Sequence, residues 1–171
     1  MTETAHDPGP TRRRTVDWQD PAAVRRSAQG LTGLEIMRGI RDGTVPPPPM
    51  ARLVGIDCVV AEPGEVVMEL DPLEALENTI GLMHGAVAAA LLDTVMGCTL
   101  HTLLPGDKAP VTIDLTITYL RPLTVGSGRL RASARVLNLG KRMAYVEGEV
   151  RDGAGTLAAH AVGNFSIVRA G

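Results

Sequence analysis

Residues 84–104 read HGAVAAALLDTVMGCTLHTLL, and this stretch decides the architecture. It is rich in Ala and Leu, both strong helix formers, and contains no proline. Its apolar residues cover nearly every face instead of one stripe, the pattern of a helix enclosed on all sides by the rest of the molecule. At about 1.5 Å per residue such a helix is roughly 30 Å long. Asp93 is its one charged residue, flanked by Leu91, Leu92, Val95 and Met96. A carboxylate buried there without a use costs several kcal/mol, about what an unpaired buried ion costs. The bland alternative is that Asp93 caps a neighbouring loop or faces solvent at a helix edge.

Working outward toward the C-terminus, Pro105 and Gly106 end the helical pattern. In 111–119, Val111, Ile113, Leu115, Ile117 and Tyr119 then alternate with Thr112, Asp114, Thr116 and Thr118. Strict alternation predicts a strand with one buried face. Three further strand-like runs follow at about 129–138, 142–152 and 156–168, punctuated by Gly126, Gly128, Asn138, Gly140, Gly153 and Gly155. Connections of hairpin length imply antiparallel neighbours.

Toward the N-terminus, strands are expected at about 51–60 and 64–70, turning at Glu62, Pro63 and Gly64. Before them, Val24, Leu31, Leu34, Ile36, Met37 and Ile40 recur at mixed three and four spacings, which predicts one or two short amphipathic helices in 21–42. The run Pro46–Pro49 should end these helices and continue as an extended connector. Residues 1–17 are polar and carry Arg12, Arg13 and Arg14, a disordered or loosely docked tail. The expected organisation is a tail over 1–17, a helical extension over 18–45 and one main domain over 46–171. Its class is α+β, a curved antiparallel sheet wrapped around a long central helix.

Composition removes several functions. With 17 Lys and Arg against 19 Asp and Glu, the chain has no bulk charge with which to recruit nucleic acid or an anionic membrane. Aromatic residues make up 2% of the chain, too few for a base-stacking platform. Cys58 and Cys98 lack a CxxC partner, and the four histidines lack metal-ligand spacing, so no metal is expected. GxGxxG, GxxxxGK[ST] and GxSxG motifs are all absent. The arginine triplet is followed by no apolar signal region, and a cytoplasmic location is expected.

The segment before the helix, Asn78-Thr-Ile-Gly-Leu-Met-His84-Gly85, sets an amide, a histidine and a glycine at the helix start. Free N–H groups at a helix N-terminus suit a developing oxyanion. Gly85 and Asp93 are eight positions apart, about 12 Å of helical rise. One carbonyl cannot use both from the same chain, so a shared chemistry requires a second copy whose helix runs antiparallel beside the first.

NTIGLMHGAVAAALLD followed by VTIDLTITYLRP resembles the hot-dog-fold acyl-CoA thioesterases of the phenylacetic-acid-pathway (PaaI-like) type, over about 46–168. The resemblance implies Asp93 as base or nucleophile and the Gly85 N–H as the group polarising the thioester carbonyl. It further implies that Asn78 orients water or substrate and that Thr112 positions water. Ala86 stands where the family's HGG motif has its second glycine, which bears on substrate shape. His84 is either a general acid or, as its position at the helix start favours, a residue that holds the loop. Asp114 is read as structural. For the coenzyme A phosphates the candidates are Arg121 and the turn Gly140-Lys141-Arg142, although simple solvated charge fits each equally well.

The expected activity is acyl-CoA hydrolysis with no cofactor, in a homodimer that pairs further into a homotetramer. The alternatives are a hot-dog hydratase acting on enoyl or hydroxyacyl thioesters, for which His84 lacks a local acidic partner, and a non-catalytic acyl-CoA sensor. The acyl group itself is not legible.

Overall fold

The computed structural model describes residues 9–169; of the tail expected over 1–17, residues 1–8 therefore lie outside the described part. Residues 9–20 carry no helix or strand, but they touch the body through an Arg12–Glu74 ion pair and an Arg52 hydrogen bond to the Asp17 carbonyl.

Two helices follow, α1 (Pro21–Ser27) and α2 (Gly33–Asp42). Asp20 caps the first, and Pro21 fits its opening turn because the missing N–H has no acceptor there anyway. A capping box formed by Thr32 and Glu35 starts the second. Gly43, with φ of 77°, closes α2 in the left-handed conformation, so the helix stops before the proline run reaches it.

The first strand corrects the sequence reading. Pro49, expected as the end of an extended connector, and residues 51–54, expected as the beginning of the strand, instead belong to a further helix, α3 (Pro49–Val54), ended by left-handed Gly55. Pro49 at the first helical position and the good helix formers Met50, Ala51, Arg52 and Leu53 explain it. The hairpin then runs β1 (Ile56–Glu62) to β2 (Glu65–Leu70), with Glu62 opposite Glu65 and Gly64 at φ of 75° in the turn.

After the central helix α4 (Gly85–His101) come β3 (Lys108–Tyr119), β4 (Leu130–Leu139), β5 (Met143–Arg151) and β6 (Leu157–Arg169). They form one antiparallel sheet in the order β1-β2-β4-β5-β6-β3. The last four strands are therefore not a simple meander. β4 crosses to β2, and β3 pairs with β6 at the opposite edge.

The sheet curls around α4, which packs on β2, β3, β4, β5 and β6. Leu91, Leu92, Val95, Met96 and Leu100 of the helix are fully buried against Leu70, Leu130, Val146, Val150 and Phe165. Each such side chain contributes about 1.5–3 kcal/mol by leaving water. Close approach depends on small residues of the sheet. A Cβ on Gly148 would lie 2.8 Å from Met96 Cγ.

The helix is not enclosed on all sides, as its composition suggested. Ala86 is exposed, and Ala89, Ala90, Asp93, Thr94, Gly97, Cys98 and His101 are only partly covered. These positions recur with helical spacing and form one face. Among the described residues no helix is long and apolar enough to cross a membrane.

Candidate active site

The loop before α4 is built to present the helix start. The Asn78 side-chain Oδ1 accepts from the N–H groups of Ile80 (3.0 Å) and Leu82 (3.1 Å), fixing a turn around left-handed Gly81. The Met83 N–H donates to the Leu123 carbonyl and the His84 N–H to the Leu76 carbonyl, so both sides of the loop are tied down. The NH2 group of Asn78 has no partner among the described residues and is the part free to meet a ligand.

His84 is the N-cap of α4. Its Nδ1 accepts from the Ala86 N–H at 3.0 Å, so when neutral the ring carries its proton on Nε2. This is the loop-holding role. The Gly85 N–H is among the donors that a helix start leaves without an intrahelical acceptor, and no loop carbonyl or side chain of the described residues accepts from it.

The Tyr119 hydroxyl donates to the Gly85 carbonyl at 3.1 Å, pinning the helix start to the end of β3. The sequence reading placed Tyr119 only among core-facing residues. The structure leaves Tyr119 53% exposed, and the signal for its role was a phenol, with its polar tip, at the last apolar position of an alternating strand.

At the other end of the helix face, the Thr112 Oγ1 donates to Asp93 Oδ1 at 2.7 Å. Unbroken alternation would have aimed Thr112 away from the helix, on the same side as Thr116. The register shifts between Thr112 and Asp114, so Ile113 is the extra residue of a β-bulge and the parity of the strand reverses there. After the bulge Leu115 and Ile117 pack on the core. Before it Thr112 faces α4, and Val111 and Ile113 are about half exposed. Asp93 is partly covered in the single chain, not buried.

Asp114 is occupied structurally, accepting from the backbone and side-chain N–H groups of Asn164 at 3.1–3.2 Å. Burial pushes the Cys98 thiol up to about 12 and Cys58 up to about 11, so both stay protonated and weakly nucleophilic near neutral pH.

The predicted residues thus fall into two groups. Asn78, His84, Gly85 and Arg121 share one end, where Arg121 lines a hollow with Gly85, His84 and Tyr119. Asp93 and Thr112 share the other. The exposed turn Gly140-Lys141-Arg142 belongs with this second group, because Met143 is opposite Ser166 and Ser166 is opposite Val111, the neighbour of Thr112. Within one chain the two groups do not converge.

A six-stranded antiparallel sheet curled around one helix, with a polar helix start and a carboxylate on its open face, defines the hot-dog class. The thioesterase superfamily model matches residues 80–159. The acyl-coenzyme A thioesterase 13 of Homo sapiens is 36% identical over 96 residues, which are 55% of this chain and 66% of that protein. The match thus spans slightly less than two thirds of that relative's length. A conserved protein of Pseudomonas aeruginosa of known structure is 35% identical, with a TM-score of 0.65 over 69% of this chain and 92% of that one. The PaaI protein from the phenylacetic acid degradation operon of Escherichia coli shares the fold at 22% identity, with a TM-score of 0.69 over 81% of this chain and 94% of that one. The chain belongs to the thioesterase superfamily, with PaaI-like architecture.

Proposed function

We propose that the protein is a thioesterase that hydrolyses acyl-CoA to the free acid and coenzyme A, in a site made by two copies of the chain. The observation that carries the reading is the open face of α4, which holds an unused oxyanion donor at Gly85 and, about 12 Å of helical rise away, the Asp93–Thr112 pair. Two such helices packed antiparallel bring each Gly85 to the other chain's Asp93.

The thioester carbonyl oxygen then accepts from the Gly85 N–H, and the partial positive charge of the helix start stabilises the oxyanion. Thr112 occupies Oδ1 of Asp93 and leaves Oδ2 to take a proton from water as the water oxygen attacks the carbonyl carbon. Collapse of the tetrahedral intermediate breaks the C–S bond, and the departing thiolate recovers the proton from Asp93. Asn78 offers its NH2 to the water or the substrate. Arg121 of one chain and the turn at Gly140, Lys141 and Arg142 of the other supply positive charge for the coenzyme's phosphates. The enzyme needs no cofactor, works in the cytoplasm, and its dimers pair into tetramers.

The test is complementation. Asp93→Asn removes the base. Gly85→Pro removes the N–H at a helix position that tolerates proline. Each variant alone should release CoA at least about 100-fold more slowly than wild type. Mixed and reassembled, random pairing makes half the dimers hybrid with one intact site each, so roughly a quarter of wild-type activity should return. No recovery from correctly assembled hybrids would overturn the shared site. Undiminished turnover by Asp93→Asn would overturn the mechanism, and ligand binding without turnover by the wild type would identify a sensor.

A further inference from the structure

Two hollows flank the start of α4, and His84 walls both. One, of about 290 Å³, holds Gly85, Tyr119 and Arg121. The other, of about 330 Å³, lies on the opposite flank and is lined by Met50 and Val54 of α3, by Leu76 and Glu77, and by Ala86 and Ala90. The two substituents of a thioester carbonyl leave its carbon in different directions. With the oxygen on the Gly85 N–H, one hollow takes the sulfur side and the other the acyl side. Arg121, without an ion-pair partner among the described residues, marks the first as the side of the phosphate-bearing coenzyme.

Resting on the thioesterase reading, we propose that the second hollow is the acyl pocket, that it takes an uncharged medium-chain or arylalkyl group, and that Met50 limits its depth while Glu77 turns away acyl groups ending in a carboxylate. Its volume of about 330 Å³ holds roughly ten groups the size of a water or methylene, each about 30 Å³. Apart from Glu77 and His84 its walls are apolar. The Glu77 side chain is partly covered and has no protein partner among the described residues, so its charge is free to act on whatever enters. A second carboxylate beside it in a hollow with apolar walls is repelled, whereas a hydroxyl is accepted as a hydrogen-bond donor.

Ala86, the departure from the family's second glycine, puts its methyl group into this same wall. Met50 is 52% exposed, so it is not committed to the core, and its flexible thioether can lie across the opening. Both Met50 and Glu77 precede residue 80, where the superfamily match begins.

The experiment uses the full-length protein and two readouts on one series of straight-chain acyl groups from four to sixteen carbons, with ω-carboxyl counterparts. Binding is measured with non-hydrolysable acyl-CoA thioethers and turnover with the thioesters. Affinity of the wild type should rise with chain length to about ten carbons and then level off. Met50→Trp should lower affinity for the ten-carbon ligand at least tenfold relative to the four-carbon ligand. Met50→Ala should move the plateau to longer chains. Glu77→Gln should improve affinity for ω-carboxyl ligands about tenfold and leave the methyl-ended ligands within twofold. A length profile that Met50→Trp does not move, or ω-carboxyl discrimination that survives Glu77→Gln, would overturn the proposal. If the binding profile responds as expected but no thioester is turned over, the hydrolase reading fails and the pocket assignment stands.

Discussion

The two faces of α4 differ in the size of their side chains and in their fates. On the inner face Leu91, Leu92, Val95, Met96 and Leu100 lie at 0% exposure within the hydrophobic core. On the outer face Ala86, Ala90, Asp93 and Gly97 are small or charged, and the chain leaves them partly open. The inner face is accounted for by the folding of one chain. The outer face is not, because a helix this apolar gains nothing from leaving its second side in water. The difference separates what stabilises the protomer from what, on the proposed mechanism, meets a ligand and a second copy.

The sharpest break of that comparison uses neighbours in sequence. Asp93→Asn should cost about 100-fold or more in turnover and alter stability by no more than about 0.5 kcal/mol. Leu92→Ala, one residue earlier on the inner face, should cost about 2–5 kcal/mol of stability while the molecules that remain folded keep their activity. Chemical denaturation and CoA release, measured on both variants, check the pair. A large stability loss in Asp93→Asn with little catalytic effect would merge the two faces into one structural role.

Thr112→Val tests the bulge that reverses the parity of β3. The hydroxyl that holds Asp93 Oδ1 disappears while the shape is nearly kept. An uncompensated loss of one charged hydrogen bond is worth about 1.4–3 kcal/mol, so kcat should fall about tenfold or more with little change in KM. Thr112→Ser should restore most of it. Equal activity in the Val variant would show that the contact only orders the edge strand.

His101 closes α4 and packs against Gly33 at the start of α2, where a Cβ would lie 2.4 Å from the ring Cδ2. Burial pushes its pKa below the ordinary 6.5, against a smaller opposing hydrogen bond at Lys108. The unfolded chain therefore binds a proton at a pH where the folded chain does not. Stability is full above about pH 7 and declines as pH falls through the unfolded-state value near 6.5. Urea midpoints at pH 7.5 and 5.5 should differ in that sense, and His101→Gln should shrink the difference. A wild-type midpoint that does not fall would remove His101 from the stability profile.

The helix, the alternating β3 and the loop from Asn78 to Gly85 were legible in the sequence because each depends on local periodicity or capping. The bulge at Ile113 was not, since alternation in the sequence is unbroken there and only pairing with Asn164 and Phe165 reveals the extra residue. Tyr119 escaped for a related reason: its period assigned the ring to the core and said nothing of the hydroxyl. The open face of α4 was also misread. Composition cannot distinguish a helix covered by its own sheet from one that leaves a side for a partner. Residues 49–54 were misread because Pro48-Pro49 suggests extended chain, whereas proline at a first helical position starts a turn as readily as it breaks one.

The smallest expected effect lies on the inner face, where the packing carries one flaw. Thr99 is fully buried and its hydroxyl has no hydrogen-bond partner among the described residues. That hydroxyl lost its hydration on folding and gained nothing in return. Replacing it with the methyl group of Thr99→Val keeps the volume and removes the desolvated oxygen, a change worth up to about 1 kcal/mol in favour of the folded state. The midpoint of thermal unfolding should rise by a few degrees, with turnover unchanged, because the proposed mechanism gives the inner face no part in the chemistry. A fall in stability would mean that the hydroxyl is paired through water. A fall in turnover at unchanged stability would mean that the two faces of α4 are coupled through the helix itself.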